Sequence, residues 1–150
     1  MEKRLNYSEA APGALKAMME LEKYARNSGI ELSLYELVKI RASQINGCAY
    51  CIDMHTKDAR KGGETEQRIY ALSVWKETPF YTERERAALA WTEALTLISQ
   101  NDVPDELYAT LCEHFSEKER VDLTMAIIAI NSWNRLAIPF RTVPGTYEPK

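Results

Sequence analysis

Apolar residues recur along most of the chain with the three-to-four-residue spacing of amphipathic helices. No window shows the strict alternation that a half-buried strand would need, so no sheet is predicted. The pattern therefore predicts an all-α fold, a single domain over residues 1–150 with about six to seven helices. The predicted helices span about 14–27, 33–45, 49–61, 65–76, 83–100, 104–114 and 116–136.

Helix-start signals support these boundaries. The capping-box pattern, a Ser or Thr followed three residues later by Glu, occurs at Ser33–Glu36, Thr82–Glu85 and Ser116–Glu119. Within the second helix we expect the apolar residues to face inward, with Lys39 and Arg41 outside. An irregular tail is predicted after the last helix.

The last helix carries a run, Met125–Ile130, that is apolar on every side. Such a turn needs cover all round, either from a central position in the domain or from a second subunit. We therefore expect a homo-oligomer. The run is far too short to cross a bilayer, and no membrane association is predicted.

Composition narrows the class of partner and compartment. The net charge of −3 and the isoelectric point near 5.5 argue against nucleic-acid binding, which needs a basic face. The first residues show no apolar signal segment, so a cytoplasmic location is expected. An odd number of cysteines, three, is not typical of a disulfide scaffold.

Candidate chemistry lies in one stretch, where Cys48 and Cys51 are three residues apart and His55 follows four later. If a helix begins after Gly47, the three side chains share one face. Free cysteine has a pKa near ~8.5, and a helix N-terminus or a neighbouring imidazole lowers it. The stretch therefore predicts a redox-active thiol pair with its own base.

Spacing divides the work between the two thiols. His55 lies one helical turn from Cys51 and about two from Cys48, so Cys51 is the expected nucleophile. Residues three apart at a helix start lie within disulfide range, which makes Cys48 the expected resolving thiol.

Two other interpretations stay open from the residues alone. The cysteines are inert core residues, or Cys48, Cys51 and His55 bind zinc with Cys112 or His114 as fourth ligand. Cys112 itself is expected in the core or as a bystander. Periodicity assigns Glu36 only a capping role and does not bring it to His55.

A family resemblance adds to this interpretation. Glu36, eleven further residues and then Cys48-x-x-Cys51-x-x-x-His55 resemble the signature of the AhpD-like alkylhydroperoxidases, within the carboxymuconolactone decarboxylase superfamily. The resemblance implies a helical fold in trimers or hexamers, with Glu36 and His55 assisting Cys51 and Cys48 resolving. One position departs, since the best-studied members carry His directly before the second cysteine and this chain has Tyr50.

The sequence thus predicts a thiol peroxidase that reduces hydroperoxides without a metal or organic cofactor. An external dithiol, a lipoyl-protein or a thioredoxin-like protein, would restore the thiols. The alternatives are a decarboxylase-like enzyme with Glu36 and His55 as acid–base pair, a disulfide reductase or redox sensor, and a zinc-binding module.

Overall fold

Residues 2–149 are described by a computed structural model, and they form helices joined by short connections, without a strand among them. The all-α prediction is confirmed. The helices are α1 (Tyr7–Ala10), α2 (Pro12–Arg26), α3 (Leu32–Asn46), α4 (Ala49–Lys61), α5 (Glu66–Ala71), α6 (Glu83–Thr96), α7 (Asp105–His114) and α8 (Glu117–Ala137), with 3₁₀ segments at Leu72–Glu77 and Ile98–Gln100.

Two of the three expected capping boxes are formed, at Thr82 and Ser116. The one expected at Ser33 is wrong. Helix α3 begins one residue earlier, at Leu32, and Glu31 at its N-cap makes no side-chain hydrogen bond. The Glu36 carboxylate instead forms a hydrogen bond with His55, which lies in another helix.

Two predicted helices end earlier than expected. Helix α5 gives way to 3₁₀ geometry at Leu72, and Val74 in that segment is 53% exposed. Helix α6 ends at Thr96, and beyond it the Asn101 side chain donates to the carbonyls of Ala94 and Leu97, at 2.9 and 2.7 Å. These are carbonyls that the end of a helix leaves without partners.

Helix α3 lies at the centre of the fold, packed against α4, α6 and α8. Residues 34–40 are buried on every side of it. The prediction that Lys39 faces outward is therefore wrong, since its side chain is fully buried. A buried ammonium needs a compensating partner, which α2 supplies in Glu22.

Helix α8 packs its apolar run against α2, α3 and α6. Ala126, Ile127, Ala129 and Ile130 are buried, whereas Ile128 is 44% exposed. The run is thus covered on most sides within one chain, and the oligomer stays a prediction. No helix in residues 2–149 is long and apolar enough to cross a membrane.

Both ends of the described chain contact other parts of the fold. Tyr7 of α1 lies beside Phe140, with ring centroids 6.0 Å apart, just beyond the end of α8. The irregular C-terminal segment follows α4, where the Gly145 amide donates to Asp53 and the Tyr147 hydroxyl to Asp58, at 2.9 and 2.8 Å. These contacts hold the two termini around the helix that carries the thiols.

Candidate redox site

The thiols are placed by the turn between α3 and α4. Gly47 ends α3 with φ of 71°, a left-handed conformation that glycine adopts without strain. Cys48 is then the N-cap of α4 in extended conformation, and its Sγ accepts a hydrogen bond from the Cys51 amide at 3.4 Å. Helix α4 occupies Ala49–Lys61, as predicted.

Cys48 and Cys51 are joined by a disulfide, with Cα atoms 5.4 Å apart. The expectation that these two residues can form a bridge is therefore confirmed. Both cysteines are almost completely buried, at 1% and 2% exposure. A reagent reaches them only through an opening in the fold.

His55 follows Cys51 by one turn of α4 and is also buried. Its Nδ1 donates to Glu36 Oε2 of α3 at 2.8 Å, while Arg26 lies 3.5 Å from Glu36 Oε1. His55 Nε2 is buried and has no hydrogen-bond partner among residues 2–149. In the neutral ring whose Nδ1–H faces Glu36, Nε2 is the acceptor nitrogen.

A cavity of about 300 Å³ opens beside the disulfide. Cys51 and His55 contribute to its wall, whereas Cys48 does not. The rest of the wall is mainly apolar, from Tyr7, Leu15, Met19, Tyr50, Met54, Trp133 and Ala137, with Glu22 and Lys39 as its charged members. The structure thus brings all four expected site residues together, since Cys51 and His55 share the cavity wall, Glu36 contacts His55, and Cys48 is bonded to Cys51.

Tyr50 lies in the cavity wall at the position where the resemblance expects a histidine. Burial, followed by the nearby Tyr7 and Asp53, raises the pKa of its phenol. The phenol therefore stays protonated at neutral pH and does not replace a histidine as a base.

Glu22 and Lys39 were not found as site residues from the sequence. The Lys39 ammonium donates to both carboxylate oxygens of Glu22, which also accept from the Tyr35 hydroxyl at 2.5 Å and Trp133 Nε1 at 3.0 Å. Burial raises the pKa of Glu22, but Lys39 and the other donors outweigh it, so that this pKa is lowered. Burial lowers the pKa of Lys39 against the opposing effect of Glu22.

Only one sequence signal pointed to this pair. Lys39 stands between Val38 and Ile40, in the run of α3 that also holds Glu36 and proves to be buried throughout. Nothing local indicates Glu22, because its partners come from α3 and α8.

The zinc alternative required Cys48, Cys51 and His55 to bind one ion together with Cys112 or His114. Among residues 2–149, one group of acidic, histidine or cysteine side chains has its ligand atoms close together, within 4.8 Å of one another, and it consists of Glu36, His55 and Asp58. Cys112 is exposed on α7, where its Sγ contacts Arg120 of α8, which fits the expected bystander and not the alternative of a core position.

Comparisons with known proteins agree with the helical fold. Residues 12–94 match the carboxymuconolactone decarboxylase family. An uncharacterized Bacillus subtilis protein, YdfG, is 55% identical over 92% of this chain and 94% of its own. A solved structure from Agrobacterium tumefaciens, of a protein of unknown function whose description suggests antioxidant defence and the name AhpD, is 49% identical. It covers 97% of this chain and 100% of its own, with a TM-score of 0.94.

A shorter match covers 30% of this chain. It is to the alkyl hydroperoxide reductase AhpD of Hyphomonas neptunium, 42% identical over 45 residues and 25% of that protein.

Proposed function

The chain belongs to the carboxymuconolactone decarboxylase family and is an AhpD-like member of that superfamily, and on this basis we propose that it is a thiol peroxidase that reduces organic hydroperoxides. Cys51 is the attacking thiol, Cys48 the resolving thiol, and His55 the base held in place by Glu36. A thiol pair with an adjacent base is the minimum equipment for this chemistry.

The reaction begins with transfer of the Cys51 thiol proton to His55 Nε2. The thiolate attacks the distal oxygen of the hydroperoxide, so that an S–O bond forms as the O–O bond breaks. The alkoxide that leaves takes the proton from His55 and departs as an alcohol. Cys48 then attacks the Cys51 sulfenic acid, which releases water and forms the disulfide.

The observation that carries this proposal is the shared cavity. Cys51 and His55 belong to the same wall, His55 Nε2 has no partner among residues 2–149, and Cys48 is bonded to Cys51 outside the wall. A hydroperoxide in the cavity would therefore meet Cys51 first. The mainly apolar wall suits an organic hydroperoxide better than hydrogen peroxide.

The same geometry limits the reductant. Because both sulfurs are buried, a reducing thiol must enter the cavity and attack Cys51, which releases Cys48. A dithiol on a slender flexible arm, such as a lipoyl group, fits this approach better than the broad surface of a thioredoxin-like protein. The proposed physiological reductant is therefore a lipoyl-protein.

The test is a single turnover of the reduced protein with one equivalent of cumene hydroperoxide and a sulfenic-acid trap. The expected wild-type product is the Cys48–Cys51 disulfide. Cys48→Ser should consume the peroxide and carry the trap on Cys51, whereas Cys51→Ser should consume none. Peptide mass spectrometry identifies the modified thiol.

Cys112→Ser is the matched control, because it removes a thiol that is exposed and outside the cavity. It should behave like the wild type. Trap on Cys48 would reverse the assignment of the two thiols, and peroxide consumption that survives loss of both cysteines would refute thiol chemistry.

A second candidate rests on the hydrogen bond between Glu36 and His55. This pair forms a buried acid–base unit that does not require the thiols, and the family takes its name from a decarboxylase. Decarboxylation of carboxymuconolactone by a Cys48→Ser/Cys51→Ser variant, lost again on Glu36→Gln, would favour this function over the peroxidase.

A further inference from the structure

The cavity contains a charged group that the proposed reaction has not yet used. Lys39 is fully buried, yet its side chain belongs to the same wall as Cys51 and His55. A lysine in the interior of a protein is rare and is retained only with a partner. The partner here, Glu22, belongs to the wall as well.

Glu22 has no capacity left for a ligand. Its Oε1 accepts from Lys39 and Tyr35, and its Oε2 accepts from Lys39 and Trp133. A carboxylate offers about four lone-pair sites, so these four hydrogen bonds saturate it. Its pKa is lowered as well, and it therefore acts neither as a base nor as an acceptor for substrate.

Lys39, in contrast, keeps one donor. An ammonium has three N–H groups, and within residues 2–149 Lys39 donates only to the two oxygens of Glu22. The Glu22–Lys39 pair is thus a neutral unit in the cavity wall, and its ammonium, 4.4 Å from the centroid of the Tyr35 ring, has one charge-assisted N–H that Glu22 does not use. Such a donor favours a negatively charged oxygen and offers nothing to an apolar group.

On the peroxidase chemistry proposed above, one negatively charged oxygen appears in this cavity during the reaction. It is the proximal oxygen of the hydroperoxide, which becomes an alkoxide when the O–O bond breaks. We propose that Lys39 is a catalytic residue that hydrogen-bonds this leaving oxygen, held in position by Glu22, Tyr35 and Trp133.

The proton balance is unchanged by this role. The Cys51 proton moves to His55 and from there to the alkoxide, while Lys39 keeps its own protons throughout. Lys39 acts as a preorganised donor in a site with little water, where such donors stabilise developing charge most effectively.

The test compares two oxidants that differ in their leaving group. tert-Butyl hydroperoxide expels a strongly basic alkoxide, whereas peracetic acid expels acetate, which needs no such stabilisation. The Glu22→Gln/Lys39→Met variant removes both charges together, so that neither is left unpaired. Rates of Cys51 oxidation are measured in single turnovers by rapid alkylation and mass spectrometry.

We expect the double variant to lose about 10²-fold in rate with tert-butyl hydroperoxide, the usual effect of deleting one such donor, and to keep the wild-type rate with peracetic acid. The matched control is Arg60→Met/Glu66→Gln, which deletes an exposed ion pair between α4 and α5 whose members are not part of the cavity wall. It should leave both rates unchanged.

If Glu22→Gln/Lys39→Met does not fold, Glu22→Gln/Lys39→Gln serves instead, because an amide remains available to pair with its neighbour and to donate weakly. Its expected loss with tert-butyl hydroperoxide is about tenfold, again without loss for peracetic acid.

Equal losses with both oxidants would overturn the inference, since they indicate a general effect on the thiol or the fold. Wild-type rates with both oxidants would overturn it too. A wild-type protein that reacts with neither oxidant would instead refute the proposed function itself, together with this role of Lys39.

Discussion

Two carboxylates beside the cavity, the half-buried Glu22 of α2 and the buried Glu36 of α3, differ in how many hydrogen bonds they accept. Glu22 accepts four hydrogen bonds, including those from the Lys39 ammonium, and has no site left for a further donor. Glu36 accepts from one ring nitrogen of His55 and has only the partly exposed Arg26 as a second cation, at 3.5 Å.

The Glu22–Lys39 and Glu36–His55 pairs differ in the hydrogen-bonding group that each leaves without a partner. The Glu22–Lys39 pair holds both charges in place and leaves one N–H donor. The Glu36–His55 pair leaves a buried imidazole nitrogen, Nε2, that has no partner among the described residues. A saturated pair can fix charge and geometry, whereas an unsaturated one can move a proton. Predictions follow from this contrast.

The largest expected effect is a loss of stability when one member of the Glu22–Lys39 pair is replaced. Lys39→Met leaves the half-buried Glu22 carboxylate without its cation, and the free energy of unfolding should fall by about 3 kcal/mol, the lower end of the range for buried pairs. Urea denaturation at pH 7 measures it. Glu22→Gln/Lys39→Met should recover most of this loss. A double variant as unstable as the single one would contradict charge pairing as the cause.

The second effect concerns turnover. Glu36→Gln keeps an acceptor for His55 Nδ1 but removes the charge that stabilises the imidazolium, so peroxide turnover should fall about 10²-fold with little change in stability. Steady-state rates with cumene hydroperoxide and a dithiol measure it. Glu93→Gln is the matched control, because that paired carboxylate lies outside the cavity wall. Equal rates for wild type and Glu36→Gln would reduce Glu36 to a structural residue.

The third effect is a pH-dependent loss of stability at an exposed helix cap, and it serves as a comparison with the two pairs beside the cavity. The Ser116 amide, then the Ser116 side chain and Arg84, lower the pKa of Glu119 to about 2. This group contributes stability above its unfolded pKa of about 4.5, and the contribution disappears as pH falls through about 2. Glu119→Gln should therefore cost about 1 kcal/mol at pH 7 and progressively less as the pH falls towards 2.

Chemical denaturation of wild type and Glu119→Gln across pH 2–7 provides the measurement. A difference between the two proteins that stays constant over this range would show that the carboxylate charge of Glu119 has no part in the cap.

The smallest effect is expected at Tyr50. Because burial raises the pKa of this phenol, it takes no part in proton transfer at neutral pH, and Tyr50→Phe should change turnover by less than about twofold. The pH profile of turnover between 6 and 9 should keep its shape. A change in that shape would give Tyr50 a role in the relay.

Local sequence signals were sufficient for much of the fold. The caps at Thr82 and Ser116 and the whole of α4 depend on residues within a few positions of each other, and all three were predicted. The spacing of Cys48 and Cys51 likewise defines a bridge that one turn of chain can close. Each of these features follows from backbone geometry and near neighbours, which a sequence displays directly.

The hydrogen bonds of the polar residues beside the cavity join residues that are far apart in the sequence. Glu36 and His55 are nineteen residues apart, and Glu22 is joined to Trp133 across 111. The local pattern assigned Glu36 to a cap, and only the family resemblance placed it with His55. Lys39 was assigned to the surface because charge usually marks an exposed position. Only the packing of α2, α4 and α8 around α3 supplied the partners that make burial of these charges possible. The local sequence pattern thus determined the helices and the thiol pair. Tertiary structure decided which charged residues lie beside the thiols at the cavity, because contacts between side chains of different helices do not appear as a periodic pattern in the sequence.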